Sequence, residues 1–146
     1  MTVKGHVFMS WIPAAGYMAA TGDMLLGSLA LAASILIDFD HVIDRVVEER
    51  KITSLQTMAA RYMNDDFEKV YLIFHSLDLL IPALLLVGMS NPVGAVLVGF
   101  IFHILCDIYE WCLIRRKVSW LTYFFIYRVK VHFLFRRMLT RKYVSA

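Results

Sequence analysis

Two short strings of this sequence place carboxylates and imidazoles inside otherwise apolar surroundings. They are residues 38–41 (Asp-Phe-Asp-His) and 103–107 (His-Ile-Leu-Cys-Asp). Burying a charged side chain is costly unless it is paired or binds a metal ion. His103 and Asp107 are four residues apart, so on a helix they share one face, one turn apart. The two strings therefore indicate a metal site built into an apolar protein.

The candidate ligands come from separate parts of the chain. We expect Asp40, His75, His103 and Asp107 to be direct ligands, with His6, Asp38 and His41 as further ligands or as groups that orient them. Asp78 lies three residues after His75 and is either a site residue or the partner of a buried cation. Glu110 lies three residues after Asp107 and could orient a ligand or act as a general base. Cys106 could reach the same metal, although free cysteines are more often packing residues.

The elements that must position these residues are strongly apolar. The chain is 60% hydrophobic and 18% charged, with a mean hydropathy of +0.63, unlike an ordinary soluble domain. Four apolar segments, about 7–20, 24–38, 70–89 and 92–113, predict a single all-α membrane domain over residues 1–146, a polytopic helical bundle. The first two are short for a full crossing and predict a hairpin that turns at residues 21–23.

Two further segments, about 53–63 and 119–142, are predicted as interfacial amphipathic helices. In the second, Arg128, His132 and Arg136 are spaced by four and form a basic stripe suited to anionic lipid headgroups. The acidic residues that precede the first are interpreted as a solvated face: Asp44, Glu48 and Glu49. Because the basic residues flank apolar segments, membrane lipids are the predicted partners and nucleic acid is not. A homo-oligomer or a membrane partner protein is left open.

The distribution of basic residues also predicts an orientation. Loops rich in Lys and Arg are cytoplasmic by the positive-inside rule. When the chain is threaded through a membrane from a cytoplasmic N-terminus, the candidate ligands fall on the cytoplasmic side at similar depth. We therefore expect a multi-pass protein in which the side chains of His6, Asp40, His75, His103 and Asp107 meet in one cavity at the cytoplasmic face.

The order of the motifs resembles that of a known family. The motifs are residues 5–6 (Gly-His), 38–41 (Asp-x-Asp-His), 75–76 (His-Ser) and 103–107 (His-Ile-Leu-x-Asp). They are similar to those of the membrane-bound metal-dependent hydrolase family, above all its LexA-regulated inner-membrane members, over roughly residues 1–110. Ile37 stands where that family commonly has Pro, Val70-Tyr71 stands where it has a His-Arg pair, and Phe74 stands where it has Thr. The resemblance implies a metal-dependent hydrolase of the cell inner membrane.

The donor types indicate which metal such a site would bind. Mixed His and Asp donors suit Zn²⁺, Mn²⁺ or Fe²⁺, and the number of histidines makes Zn²⁺ our first choice, with one or two ions. Metal ions in such a site can polarise a phosphoryl oxygen and supply hydroxide. The phosphate esters nearest to the cytoplasmic face of a membrane are those of lipids. The expected function is therefore hydrolysis of lipid phosphate esters, with Asp38, Ser76 and Glu110 as catalytic candidates.

Two other functions are compatible with the same residues. The chain could be a non-catalytic membrane subunit whose polar residues form a structural metal site or a packing network, and the absent His-Arg pair favours that interpretation. It could also be a small transporter with an ion relay, although four segments would then require oligomerisation.

Overall fold

The computed structural model describes residues 8–50, 54, 57, 68–88 and 91–140. Its α-helices are α1 (Trp11–Thr21), α2 (Met24–Leu36), α3 (Phe39–Glu49), α4 (Leu77–Val87), α5 (Pro92–Asp107), α6 (Phe125–Lys130) and α7 (Phe135–Met138). A π-helix covers Ile108–Ile114 and a 3₁₀ helix covers Trp120–Tyr123. The described residues contain no strand, only two isolated antiparallel bridges, which confirms the all-α prediction for this part of the chain.

The α1–α2 hairpin turns where the sequence predicts it, at residues 21–23. Gly22 ends α1 in the left-handed conformation, with φ 68°, which glycine adopts without a steric penalty. The Asp23 carboxylate then accepts hydrogen bonds from the backbone N–H groups of Leu25 and Leu26, at 2.7 and 3.2 Å. Such a cap satisfies N–H groups that the first turn of α2 leaves unbonded.

Small residues allow α5 to pack closely against α2. The space that a Cβ atom on Gly99 would need is already filled by the backbone of Ala30, with Ala33 beside it. Ala30 and Ala95 are completely buried. Close approach of helix backbones through Gly and Ala is common in membrane helix pairs. α1 packs against α2 and α4 packs against α5, so the α2–α5 pair is the centre of the bundle.

A hydrophobic core lies beneath the polar residues of the sequence motifs. Its buried members are Ile37, Leu77, Leu80, Leu97, Ile104 and Tyr123. They come from the end of α2, from α4 and α5, and from the 3₁₀ helix, so one core fixes the elements that carry the candidate site. Ile104 is completely buried next to His103, which anchors that part of α5.

Two helices in the described part are long and apolar enough to cross a membrane. One is α2 continued by α3, Met24–Glu48, with 25 residues, and the other is α5 continued by the π-helix, Pro92–Ile114, with 23 residues. The predicted third segment, 70–89, is helical over only 11 residues, Leu77–Val87, because residues 70–76 leave the helix to enter the candidate site. The structure therefore supplies two candidate crossings where the sequence predicts four.

The C-terminal segment differs from the predicted amphipathic helix over 119–142. It is divided into the 3₁₀ helix, α6 and α7, and His132 and Phe133 interrupt it with φ values of 58° and 60°. Arg128 is buried, whereas His132 and Arg136 are exposed, so the three do not form a basic stripe. The predicted surface helix over 53–63 lies outside the described residues except for positions 54 and 57.

Candidate metal centre

Three carboxylates along α3 hold a non-helical segment, residues 68–76, against that helix. Asp40, Asp44 and Glu48 are spaced by four and share one face; we call them the carboxylate row. Glu48 accepts hydrogen bonds from the backbone N–H groups of residues 68 and 69, Asp44 from those of 71 and 72, and Asp40 from those of 74 and 75, at 2.8–3.3 Å. The interpretation of Asp44 and Glu48 as a solvated face is therefore wrong, because they satisfy backbone groups that no helix satisfies.

The carboxylate row also orients His75. Asp40 Oδ2 lies 3.2 Å from His75 Nδ1, so one carboxylate contacts both the ring and the backbone of this residue. Metal-binding histidines commonly have such a carboxylate at their other ring nitrogen. His75 is 1% exposed, and its Nε2 atom has no hydrogen-bond partner among the described residues. A buried unsatisfied ring nitrogen is unusual unless it binds something else.

α5 presents its own pair of donors to the same point. His103 Nδ1 lies 2.7 Å from the Ser34 carbonyl oxygen, to which it donates, so the Nε2 atom is left with the lone pair in the neutral ring. That Nε2 atom is 3.4 Å from Asp107 Oδ2 and 3.2 Å from Asp38 Oδ1. Asp107 Oδ2 is in turn 3.9 Å from His75 Nε2. Helix α5 and segment 68–76 therefore meet at these atoms.

Within the described part of the chain, two overlapping groups of side chains have the geometry to hold a metal ion. They are Asp38, His41 and His75, and His75, His103 and Asp107, with ligand atoms within 4.8 Å of one another in each group. We call the five residues the histidine–aspartate cluster. His75, His103 and Asp107 are buried, whereas half of the Asp38 side-chain surface is exposed. The cluster thus combines a buried donor set with one accessible carboxylate.

The structure places the remaining candidate residues around the cluster. Asp40 contacts His75 and lies in neither ligand group. The Ser76 hydroxyl is fully buried, donates to the Leu72 carbonyl oxygen and accepts a hydrogen bond from Arg128. Glu110 is also outside both groups, and its carboxylate pairs with Arg115 at 2.7 Å. His6 lies outside the described residues.

Asp78 and Cys106, whose roles the sequence left open, belong to neither ligand group. Asp78 accepts hydrogen bonds from the backbone N–H groups of Phe125 and Ile126 at 2.8 and 3.0 Å, so it holds the start of α6 against α4. Cys106 is part-buried and belongs to neither ligand group. Its position agrees with packing, the role that the sequence favoured.

A cavity of about 80 Å³ adjoins the cluster, several times the volume that one water molecule needs. His41, His75 and Asp107 line one side of it. The cavity is also lined by four cationic residues, Arg45, Lys69, Lys117 and Arg128, by the carboxylates of Asp44 and Glu48, and by Trp111 of the π-helix. π-helical turns occur frequently at functional sites because the wider turn redirects side chains. The cluster therefore faces a space in which an anionic group can be accommodated.

Sequence reasoning missed two features of this site. The carboxylate row had a signal, since Asp40, Asp44 and Glu48 recur every four residues on a predicted helix. Arg128 had none, because its hydrogen-bond partners, the His75 carbonyl oxygen and Ser76, are 53 and 52 residues away along the chain.

Comparison of the chain with protein-family models, with curated proteins and with solved structures gave no match. The resemblance to the membrane-bound hydrolase family therefore stays a prediction based on the motifs. The function proposed below rests on the geometry of the site and the apolar character of the helices.

Proposed function

We propose that this chain is a membrane-embedded, metal-dependent hydrolase that acts on phosphate esters of lipids at the cytoplasmic face of the inner membrane. The observation that carries the proposal is His75 Nε2. This atom is buried, has no hydrogen-bond partner among the described residues, and belongs to the one residue that both candidate ligand groups share. A neutral imidazole in that position is suited to bind a transition-metal ion.

The surface of the helices supports the membrane location. Within the apolar windows of the two long helices, only 39% and 33% of residues are buried inside the protein, whereas a core helix of a soluble protein is mostly buried. Large apolar side chains face outward, among them Leu85 and Leu86 of α4, which are 80% and 87% exposed. An exposed apolar surface of this kind fits lipid contact.

The donor set supports a transition metal rather than Mg²⁺. His75, His103 and Asp107 would hold one ion, and His41 and Asp38 meet His75 in the second group. Nitrogen donors together with a carboxylate suit Zn²⁺, Mn²⁺ or Fe²⁺. When bound, such an ion polarises a phosphoryl oxygen. Asp40 keeps the His75 ring in place through its Nδ1 atom, and the Ser34 carbonyl oxygen does the same for His103.

The accessible carboxylate of the cluster has a separate role in this proposal. Asp38 Oδ1 lies 3.2 Å from His103 Nε2, but half of the side-chain surface is open to solvent. It is therefore placed to take a proton from an attacking water molecule beside the substrate. Ser76 contributes indirectly, because its hydroxyl accepts a hydrogen bond from Arg128 and so helps to fix the position of that side chain. Glu110 pairs with Arg115 and supports the π-helix rather than the reaction.

Metal content and lipid hydrolysis test the proposal together. The purified protein in detergent would be dialysed against Zn²⁺ or Mn²⁺, analysed for metal, and incubated with a panel of phosphate-ester lipids while phosphate release is measured. We expect one or two ions per chain and metal-dependent turnover. His75→Ala should lose bound metal and all turnover. His132→Asn is the matched control, because this exposed histidine lies outside the cluster and Asn tolerates its left-handed backbone.

A polar packing network is the second candidate, and one observation favours it. His103 already contacts the Ser34 carbonyl oxygen, Asp38 and Asp107, so the carboxylates can neutralise a protonated ring without an ion. If wild-type protein bound no metal after dialysis, the metal site would be contradicted and the polar packing network would be supported. Bound metal without turnover on any lipid of the panel would indicate a structural metal site.

A further inference from the structure

Arg128 is a buried cation that forms no salt bridge with the described residues. The residue is 1% exposed, and no carboxylate forms a salt bridge with it in the described part of the chain. Burial lowers the pKa of Arg128 to about 10, while Asp40, Asp44 and Asp78 act in the opposite direction from a distance, so the guanidinium is charged at neutral pH. A buried charge that lacks a partner is strongly unfavourable.

The hydrogen bonds that Arg128 forms with the described residues involve only its Nη2 atom. Its Nη2 atom donates to the His75 carbonyl oxygen at 3.3 Å and to the Ser76 hydroxyl. Its Nε atom is buried and has no partner among the described residues. A guanidinium has five N–H donors in a planar fork that matches the oxygens of a carboxylate or phosphate. The two contacts at Nη2 fix the fork in place without neutralising it.

The position of Arg128 relates it directly to the cluster. It binds the backbone of His75, the residue common to both ligand groups, and it lines the same cavity as His75 and Asp107. The carboxylates of that cavity have other partners: Asp44 and Glu48 hold segment 68–76, and Asp107 faces His103. None of the described carboxylates that line the cavity therefore forms a salt bridge with Arg128.

We propose that Arg128 binds a phosphoryl oxyanion in this cavity, with Ser76 and the His75 carbonyl oxygen orienting its guanidinium. The inference rests on the proposed function for its assignment of the anion to a substrate, but the anion contact itself stands on the burial and bonding of Arg128. Lys69, which is exposed, and Lys117 line the same cavity and would attract the anion from outside. The ligand class is a phosphate group, either on a lipid or free in solution.

Calorimetric titration of metal-free protein in detergent tests the contact without any contribution from a metal or from turnover. Orthophosphate and dihexanoyl phosphatidate are the two probes. We expect wild-type protein to bind both, and Arg128→Gln to bind each at least tenfold more weakly, because it removes the charge and the fork. Lys130→Gln is the matched control: it removes one positive charge from an exposed position of the same helix and should bind both probes as the wild type does.

Arg128→Lys is the second variant, for the case in which Arg128→Gln fails to fold. It keeps the charge but replaces the planar fork with a point charge, so phosphate binding should weaken while the melting temperature is preserved. Wild-type affinity in Arg128→Lys would overturn the proposed contact, as would wild-type affinity in a folded Arg128→Gln. Wild-type protein that binds neither probe would overturn it too.

The two probes also distinguish the source of the phosphate. Tighter binding of dihexanoyl phosphatidate supports a lipid headgroup, whereas equal affinities support the Arg128 contact with a soluble phosphate as its ligand. Phosphate binding that depends on Arg128, in a protein without hydrolytic activity, would support this inference and contradict the proposed function. Metal-dependent hydrolysis with unchanged phosphate binding in Arg128→Gln would support the proposed function and contradict this inference.

Discussion

At the turn between α1 and α2, backbone groups are satisfied by ordinary helix caps, whereas at the opposite end of α2 side-chain carboxylates perform the same task. Asp23 caps two N–H groups at the turn. The carboxylate row binds six N–H groups of segment 68–76, and Asp78 binds two more at the start of α6. The first arrangement is local in sequence, and the second joins residues 20–48 positions apart.

This difference shows how a site can be built inside an apolar protein. A helix forms the hydrogen bonds of its own backbone, but its regular turn fixes the directions of its side chains. A non-helical segment can instead bring the His75 ring to 5.6 Å from the His103 ring, measured between centroids. Segment 68–76 is not helical, and Leu72 has a left-handed backbone with φ 43°. The N–H groups of this segment therefore lack helical partners, and the carboxylate row accepts hydrogen bonds from them instead. The site end therefore depends on side chains that are distant in sequence, whereas the hairpin end depends on caps between neighbouring residues.

Asp44→Ala should give the largest effect of the variants that test this comparison. It removes the acceptor for Tyr71 and Leu72 in the middle of the carboxylate row. Hydrogen bonds to a charged group contribute roughly 1.5–3 kcal/mol each, so we expect the free energy of unfolding to fall by about 3 kcal/mol. Because His75 follows in the released segment, metal affinity should fall at least tenfold. Denaturant titration and equilibrium dialysis measure the two quantities.

Asp23→Ala is the matched control at the hairpin end. It also removes a carboxylate that accepts two backbone hydrogen bonds, yet an N-cap contributes only about 1 kcal/mol, and Asp23 belongs to neither ligand group. We expect a small loss of stability and wild-type metal affinity. If Asp23→Ala and Asp44→Ala changed stability equally and neither changed metal affinity, the distinction between the two ends would be wrong.

Asp40→Asn separates the support of the backbone from the orientation of the histidine. Asparagine can still accept hydrogen bonds from the N–H groups of Phe74 and His75, but it removes the negative charge beside His75 Nδ1. Loss of such a carboxylate typically weakens metal binding 10- to 100-fold. We therefore expect weaker metal binding, and a loss of about 2 kcal/mol in the free energy of unfolding because two charge-assisted hydrogen bonds become neutral ones. Equal metal affinity in Asp40→Asn and wild type would show that this contact does not tune the ligand.

The sequence predicted those parts of the fold that depend on local patterns. The turn at residues 21–23 has Gly and Asp at the positions that a helix end and a helix start require. The spacing of His103 and Asp107 placed both on one face of α5, and in the structure His103 Nε2 lies 3.4 Å from Asp107 Oδ2. In each case the signal and its structural consequence lie within a few residues of one another.

The sequence did not predict features that long-range contacts decide. Residues 70–74 are uncharged, so they resemble the start of an apolar helix, but in the structure their N–H groups bind the carboxylates of α3 and the Phe133 carbonyl oxygen instead. Arg128 fitted a basic stripe by spacing, but the left-handed residues His132 and Phe133 break the helix that the stripe required. Its burial beside Ser76 could not be inferred from neighbouring residues.

Gly99→Ala should have the smallest effect on the candidate site, because it changes only the packing of α5 against α2. A Cβ atom at this position meets the Ala30 backbone, so α2 and α5 must separate slightly. Overpacking costs roughly 1–3 kcal/mol, and we expect the upper end because the atom that meets the added Cβ is a backbone oxygen of α2, which moves only with its helix. Gly16→Ala is the control, since nothing lies within 4 Å of its added methyl group, and alanine should slightly stabilise α1. Thermal unfolding in detergent measures both. We expect a lower melting temperature for Gly99→Ala alone, and both variants should keep wild-type phosphate affinity. A loss of phosphate binding in Gly99→Ala would mean that the α2–α5 contact, and not only the carboxylate row, sets the geometry of the site.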